Sequence, residues 1–300
     1  MHLPREGITF PSLFLLQRRS MDGDVPAPYP FLMDVHSYRT IPIMLEDDFT
    51  YVLRKAFRGL SLSPSEAAKR AGLPEKDVLA LSRGQFSADT ARKLAPALGL
   101  DADAFAAHDT YEPALVTLDA ITRLRLPFGD DHVNAWLVSQ GHTNLLFDTG
   151  DDIHSCAEHL MDLEMHPTVT FITHSHPDHV AGLPSLRGKK YGCEIAGTDP
   201  ISAGDALAIG ELTVRAIDLS GHDTPAVGYL IEGLEKPILV VGDAVFAGSI
   251  GGCDPSVYHD AIRRIKAALG PLSDETIILP GHGPATTVGE ERVSNPFLVG

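Results

Sequence analysis

Two patterns of apolar and polar positions divide the chain. Between residues 46 and 108 the apolar positions read as a compact set of helices. Asp47 or Asp48 can cap a first helix running to about Leu60. Ser63-Pro64-Ser65-Glu66 opens a second, with proline in the first turn. Gly72-Leu73-Pro74 makes a tight turn, and a third helix then runs to about Arg83, broken by Gly84. A fourth spans roughly Ser87 to Leu98 and ends at Gly99, a natural C-terminal cap. Asp101 to Ala107 predicts a short fifth.

From about residue 112 the pattern changes to short β runs separated by helices. Strands are predicted at Leu115–Leu118, Ile121–Leu126, Val133–Val138, Asn144–Phe147 and Thr168–Thr173. Leu212–Ala216, Gly228–Ile231, Ile238–Val241 and Ile277–Leu279 continue the series. Helices are predicted at Asp152–Met161 and Ser256–Leu269. The mix predicts an α/β fold of sheet layers covered by helices. Residues 1 to about 45 carry Pro4, Pro11, Pro26, Pro28, Pro30 and Pro42 without sustained periodicity, which predicts an extended or disordered arm. Met21, Met33 and Met44 offer alternative starts, Met44 standing directly before the first helix. The expected division is therefore an arm at 1–45, a helical domain at 46–110 and a sheet-containing domain at 111–300.

Length and composition agree with that division. The chain has 300 residues, is 44% hydrophobic and 21% charged, and carries a net charge of −16. That acidity disfavours nucleic acid and anionic membranes over most of the surface, while favouring cations. Cys156, Cys193 and Cys253 lie far apart and form no C-x-x-C, so a disulfide scaffold is excluded and a reducing, cytoplasmic setting is expected. No apolar run approaches the roughly 18 residues of a membrane span, so no membrane partner is expected.

The candidate chemistry begins at His174-Ser175-His176-Pro177-Asp178-His179, directly after the β-branched run Thr168–Thr173. His174 and His176 project to one side of an extended chain, and Asp178 and His179 follow a proline that stiffens the turn. Four nitrogen and oxygen donors in six residues suit a metal such as zinc. Left unpaired after a buried strand they would cost several kcal/mol. One loop cannot complete two coordination shells, and further donors stand at other strand ends: His222 after Val214–Leu219, Asp243 after Ile238–Val241, and His282 after Ile277–Pro280. Strand-end loops on one sheet edge are where open α/β sites assemble. Asp148, after Leu145-Leu146-Phe147, points to the same edge, and His132 precedes a strand that should end near it. The other histidines read as surface or satisfied groups.

These motifs resemble the metallo-β-lactamase superfamily over residues 115 to 300. They are Asp148 in F-D-T-G, the 174–179 cluster, His222 in S-G-H-D-T, Asp243 in V-G-D and His282 in P-G-H-G-P. The resemblance implies a four-layered αββα sandwich with the metals at one edge. It implies that His174, His176 and His222 hold one metal, that Asp178, His179 and His282 hold a second, that Asp243 bridges them, and that Asp148 orients a ligand. Asp178 and Asp243 are the candidate catalytic residues. The implied cofactor is a pair of divalent ions, zinc first, with iron or manganese as alternatives. A metal-bridged hydroxide would then attack an ester, thioester or amide carbonyl of a small acyl substrate.

The stretches Gly242–Gly251 and Gly281–Phe297 are similar to the compact glyoxalase II-like branch. This sequence departs from it in having Gly252 where many such enzymes have arginine after G-S-I-G, and in lacking the glutathione-binding helical domain that follows the core in long glyoxalase II enzymes. A glutathione thioester is therefore one candidate substrate among several. Persulfide dioxygenases share the fold but use a single iron, which gives the alternative enzyme class.

Residues 50–98 resemble a Cro/repressor-type helix-turn-helix domain, in Leu62–Leu73, in Leu81-Ser82-Arg83-Gly84 and in Leu94–Leu100. Residues 54–93 hold nine Lys/Arg and four Asp/Glu, a local charge of +5 that phosphate contact would need. The helix that would read DNA, however, opens Glu75-Lys76-Asp77, and its N-terminal part is where base contacts arise. DNA is thus the disfavoured partner, and homodimerisation or docking on the larger domain is preferred. A DNA-binding regulator that senses a ligand at the metal site is the third functional reading.

Overall fold

The computed structural model describes residues 44–192 and 195–300. The expected arm at 1–45 lies outside them apart from Met44 and Leu45.

Five short α-helices come first: α1 (Phe49–Gly59), α2 (Pro64–Ala71), α3 (Glu75–Ser82), α4 (Ala88–Leu94) and α5 (Ala102–Ala107). Local chemistry sets their ends. The Asp48 carboxylate accepts from the main-chain N–H groups of Thr50 and Tyr51. Ser63 and Glu66 form a reciprocal capping box with Pro64 in the first turn, and Gly72 ends α2 in the left-handed region. The fourth helix is shorter than predicted as an α-helix. Pro96 has no N–H to give, and Ala95–Leu98 tightens into a 3-10 turn before Gly99.

The rest is β1 (Ile121–Phe128), β2 (Asp131–Gln140), β3 (Thr143–Phe147), α6 (Ser155–Asp162), β4 (Val169–Phe171), α7 (Pro177–Val180), β5 (Lys189–Gly192) and β6 (Asp199–Pro200). Then come β7 (Ala206–Ile209), β8 (Leu212–Asp218), β9 (Val227–Glu232), β10 (Ile238–Gly242), β11 (Val245–Phe246), β12 (Ser249–Ile250), α8 (Tyr258–Leu269), β13 (Ile277–Pro280), β14 (Thr286–Thr287) and α9 (Val288–Ser294). Among the described residues β1 to β6 form one sheet in chain order, and β14-β13-β10-β9-β8-β7 form a second. β3, β4 and β5 run parallel, as do β10 and β13, so their C-terminal ends share an edge.

The sheets stack face to face. Strand alternation sends Trp136, Val138, Leu145, Phe147 and Phe171 from the first sheet against Val214, Tyr229, Ile231, Val240 and Leu279 from the second. Leu146 and Leu137 face the other way, onto Cys156 and Leu160 of α6. On the second sheet Leu239, Val241 and Ile278 face outward onto Tyr258 and Ile265 of α8. β10 is therefore buried on both faces, which is why it reads as an unbroken apolar run. Helix, sheet, sheet and helix form the expected four layers.

The outer face of the second sheet carries more than α8. Val52, Leu53 and Ala56 of α1 and Phe105 of α5 join the same apolar cluster. Contact between α1 and α8 is close: a Cβ on Gly59 would lie 2.2 Å from the Tyr258 ring. Polar contacts follow at the seam. His108 meets the Gly248 carbonyl at 3.0 Å. The fully buried Glu291 carboxyl accepts from the Gly248 N–H at 3.0 Å, Asn295 at 2.7 Å and Thr286 at 2.8 Å. Burial pushes its pKa up to about 7.

The strand predicted at Leu115–Leu118 does not form. Val116 and Leu118 pack against the inter-sheet core while Leu115 is 64% exposed, so the alternation records packing without ladder pairing.

Candidate metal centre

Asp148 follows β3, the 174–179 segment follows β4, His222 follows β8, Asp243 follows β10 and His282 follows β13. The sequence-predicted donors thus converge at one end of the sandwich. The segment is partly helical rather than all loop: Pro177–Val180 forms a single turn, with proline at its first position, that aims Asp178 and His179 inward.

His174, His176 and His222 form one group whose ligand atoms lie within 4.8 Å of one another. His176 Nδ1 is 3.1 Å from His174 Nε2 and 3.0 Å from His222 Nε2. Nitrogens about 2.0–2.1 Å from a tetrahedral zinc would stand about 3.3 Å apart, so the spacing fits a shared cation. The Gly252 carbonyl takes the Nδ1 proton of His222 at 2.9 Å, which leaves Nε2 as the facing lone pair. Burial, then the neighbouring His179, depresses the His174 pKa to about 4, and burial lowers that of His222. Both therefore favour the neutral form that ligation requires.

Asp178, His179, Asp243 and His282 form the second group, all buried. His282 Nε2 is 3.1 Å from Asp178 Oδ2, and its Nδ1 donates to the His132 carbonyl at 3.2 Å. Asp243 stands between the groups. Its Oδ1 is 3.4 Å from His179 Nε2, while Oδ2 is 3.5 Å from His222 Nε2 and 3.7 Å from His282 Nε2. Burial opposes ionisation of Asp243 and Asp178. For Asp243 the charge of His179 wins, and for Asp178 the His282 hydrogen bond and His179 win, so both carboxyls are held below the usual range. Burial equally opposes charge on His179 and His282. Asp243 and Asp148 lift the first well above its ordinary value, and Asp178 lifts the second.

That balance defines what fits. Among the described residues neither Asp178 nor Asp243 pairs with lysine or arginine. His179 Nε2 and Asp243 Oδ1 are buried and make no hydrogen bond. Buried polar atoms are seldom left so, and a divalent cation between them would satisfy both. The packing allows little else. A Cβ on Gly281 would come within 2.3 Å of Asp243 Oδ1 and 2.6 Å of His179 Cε1.

Asp148 does not face the donor atoms. From a left-handed backbone, φ 61°, it accepts from the Thr173 N–H and hydroxyl, each at 2.8 Å, and from His179 Nδ1 at 2.9 Å. It fixes which His179 nitrogen points at the second group. The His132 ring joins neither group. It is exposed beside Arg125, and only its carbonyl serves the site.

Two supports escaped sequence reasoning. The fully buried Asn134 donates to the Pro280 carbonyl at 2.9 Å and the Gly283 carbonyl at 3.0 Å, and accepts from Arg123 at 2.7 Å, so it holds the His282 turn. A lone amide inside the apolar strand Val133–Val138 was a usable signal. Asp223 accepts from the Ser175 N–H at 3.0 Å and hydroxyl at 2.6 Å, tying the His222 turn to the His174–His176 segment. It lies in the S-G-H-D-T motif, whose reading stopped at His222.

Comparison with known proteins agrees with this geometry. The sequence model of the metallo-beta-lactamase superfamily matches residues 128–197, a span that includes His174 to His179. The hydroxyacylglutathione hydrolase GloC of Haemophilus influenzae is 28% identical over 201 residues, covering 56% of this chain and 89% of that protein. A probable metallo-hydrolase of Bacillus subtilis, YqgX, is 27% identical over 206 residues, covering 59% and 97%. Among solved structures, the BLEG-1 B3 metallo-beta-lactamase shares the fold, with a TM-score of 0.52 and 24% identity, covering 60% of this chain and all (100%) of that one. The sandwich, the donors gathered at its edge and these matches together support membership of the metallo-β-lactamase superfamily.

Proposed function

We propose that the protein is a cytoplasmic, metal-dependent hydrolase of small acyl compounds, esters or thioesters, working with two divalent ions, zinc first. The observation that carries this reading is Asp243, whose carboxylate reaches both donor groups, Oδ1 facing His179 and Oδ2 facing His222 and His282. In this reading His174, His176 and His222 hold one ion, Asp178, His179 and His282 hold the other, and Asp243 serves both. When bound, such a pair lowers the pKa of water toward neutrality and polarises a substrate carbonyl. The protein's share is positional. Gly252 and His132 carbonyls fix the His222 and His282 tautomers, Asp148 fixes His179, and Asp223 and Asn134 hold the turns together. The likeness to GloC favours thioesters, although Gly252 stands where many of that branch carry arginine.

For the five helices we propose a docked role rather than DNA reading, because Val52, Leu53 and Ala56 are buried in the cluster that covers the second sheet. Metal content and initial rates on matched esters, thioesters and lactones test the whole reading. About two zinc ions per chain are expected, with turnover lost on chelation and restored by zinc. One iron per chain with oxygen consumption overturns it. So does absence of turnover alongside tight, salt-sensitive duplex binding, which would make the protein a regulator.

A further inference from the structure

Three consecutive acidic residues, Glu46, Asp47 and Asp48, lead into α1, and two of them have evident tasks. Asp48 caps the helix. Asp47 is buried and paired with Lys55. Glu46 is half-buried, yet among the described residues its carboxyl makes no hydrogen bond or ion pair.

Its location is specific. The Glu46 main chain lies on the turn that carries His282: Gly283 has φ +70°, and a Cβ there would come within 3.0 Å of Glu46 N and 3.1 Å of its Cβ. Burial pushes its pKa up first of all, with Asp47 and Asp243 acting the same way and His282 and Lys55 acting against them. Besides Asp178, Asp243, His179 and the His132 carbonyl, two aromatic rings flank His282. The Phe128 ring centroid is 5.5 Å from that of His282, with Phe128 40% exposed, and the Phe246 centroid is 6.1 Å away. Lys55 is already engaged, by Asp47 and by the Phe246 ring 4.7 Å from its Nζ. A half-desolvated carboxylate with no hydrogen bond or ion pair among the described residues keeps part of its desolvation cost, and a ligand that supplies a positive charge recovers it.

We infer that Glu46 determines specificity at the entrance to the metal centre, by selecting acyl substrates that carry an ammonium group beyond an apolar segment and disfavouring anionic ones. The ammonium would meet Glu46 and the apolar segment would lie on Phe128, the exposed ring of the two, since Phe246 is buried under Lys55. This inference rests on the hydrolase reading above, and it narrows the substrate class away from anionic conjugates. At a partly exposed position a single charge should change selectivity about 3-fold in each direction.

The test uses the zinc-loaded full chain and three thioesters of one thiol, with 6-aminohexanoyl, 6-acetamidohexanoyl and adipoyl groups. Wild-type kcat/KM should fall in that order, with roughly 10-fold between the ends. Glu46→Gln should shrink the spread to about 2-fold and Glu46→Lys should reverse it, with zinc content unchanged. Calorimetric binding of 6-aminohexanohydroxamate against adipic monohydroxamate gives a second readout that needs no turnover, with the same preference and the same loss in Glu46→Gln. An unchanged order in both variants overturns the inference, even if the thioesters are cleaved. If no thioester is cleaved but the hydroxamates show the Glu46-dependent preference, the entrance assignment holds and the hydrolase reading falls.

Discussion

The two sheets contribute to the centre in different ways. The first supplies Asp148 and four donors from one short segment, His174 to His179, so its half of the site is local in the chain. The second supplies His222, Asp243 and His282, one each from the ends of β8, β10 and β13. Each donor group draws on both halves. The outer coverings differ too: α6 packs on the first sheet's outer face together with Leu186, while α8 and the N-terminal helices share one cluster on the second. The half whose donors are scattered along the chain is the half with the deeper support. The geometry of a scattered set depends on strand register and layer packing, whereas a contiguous segment can hold much of its own.

The sharpest way to break this comparison is to remove the residue that joins the halves. Asp243→Ala should lose zinc from both groups and lower kcat/KM by roughly 1,000-fold or more, the factor for about 4 kcal/mol of lost stabilisation. Full metal content with unchanged turnover would refute a shared centre. Next in size is the covering of the second sheet. Phe105, fully buried, should cost about 3–4 kcal/mol when truncated to alanine, within a single unfolding transition, and Leu160→Ala on α6 somewhat less. Two separate transitions in the Phe105→Ala protein would mean that the helices and the sandwich fold independently.

Glu291 tests the seam by pH. Its pKa rises from 4.5 to about 7 on burial, so between those values the folded chain keeps a proton that the unfolded chain has released. Its contribution is complete below about pH 4.5 and declines as pH rises to about 7, by roughly 3 kcal/mol. Urea unfolding across that range should slope downward in wild type relative to Glu291→Gln, and parallel curves would count against a buried, protonated carboxyl. The smallest effect concerns Asp223. Asp223→Ala should weaken zinc binding about 10-fold in chelator competition, without altering the overall fold.

What the sequence made legible follows the same division. The 174–179 segment announced itself because four donors crowd six positions, and Ser63 and Ser87 marked helix starts directly, while the choice of Asp48 over Asp47 as the first cap came from the structure. The second sheet's donors are single residues, and strand ends and the family resemblance located them. Strands with little apolar content were missed. Lys189–Gly192 and Asp199–Pro200 are held by pairing with neighbours, a signal that lies outside their own residues. Ala206–Ile209 alternates and meets its partner across Gly210-Glu211, and could have been read as a hairpin arm. Glu46 was invisible as a site residue, because only the docking of α1 brings it beside His282.

The placement of donors across both sheets also bears on how long the protein survives. A cation held between them would bind the stacked arrangement and not the opened chain, acting as a stitch through the sandwich. Free metal at 100 times its dissociation constant would add about 2.7 kcal/mol to folding stability. Metal supply would then govern turnover of the polypeptide as well as turnover of substrate. In starved conditions the bare chain opens more often, and a protease reaches it sooner.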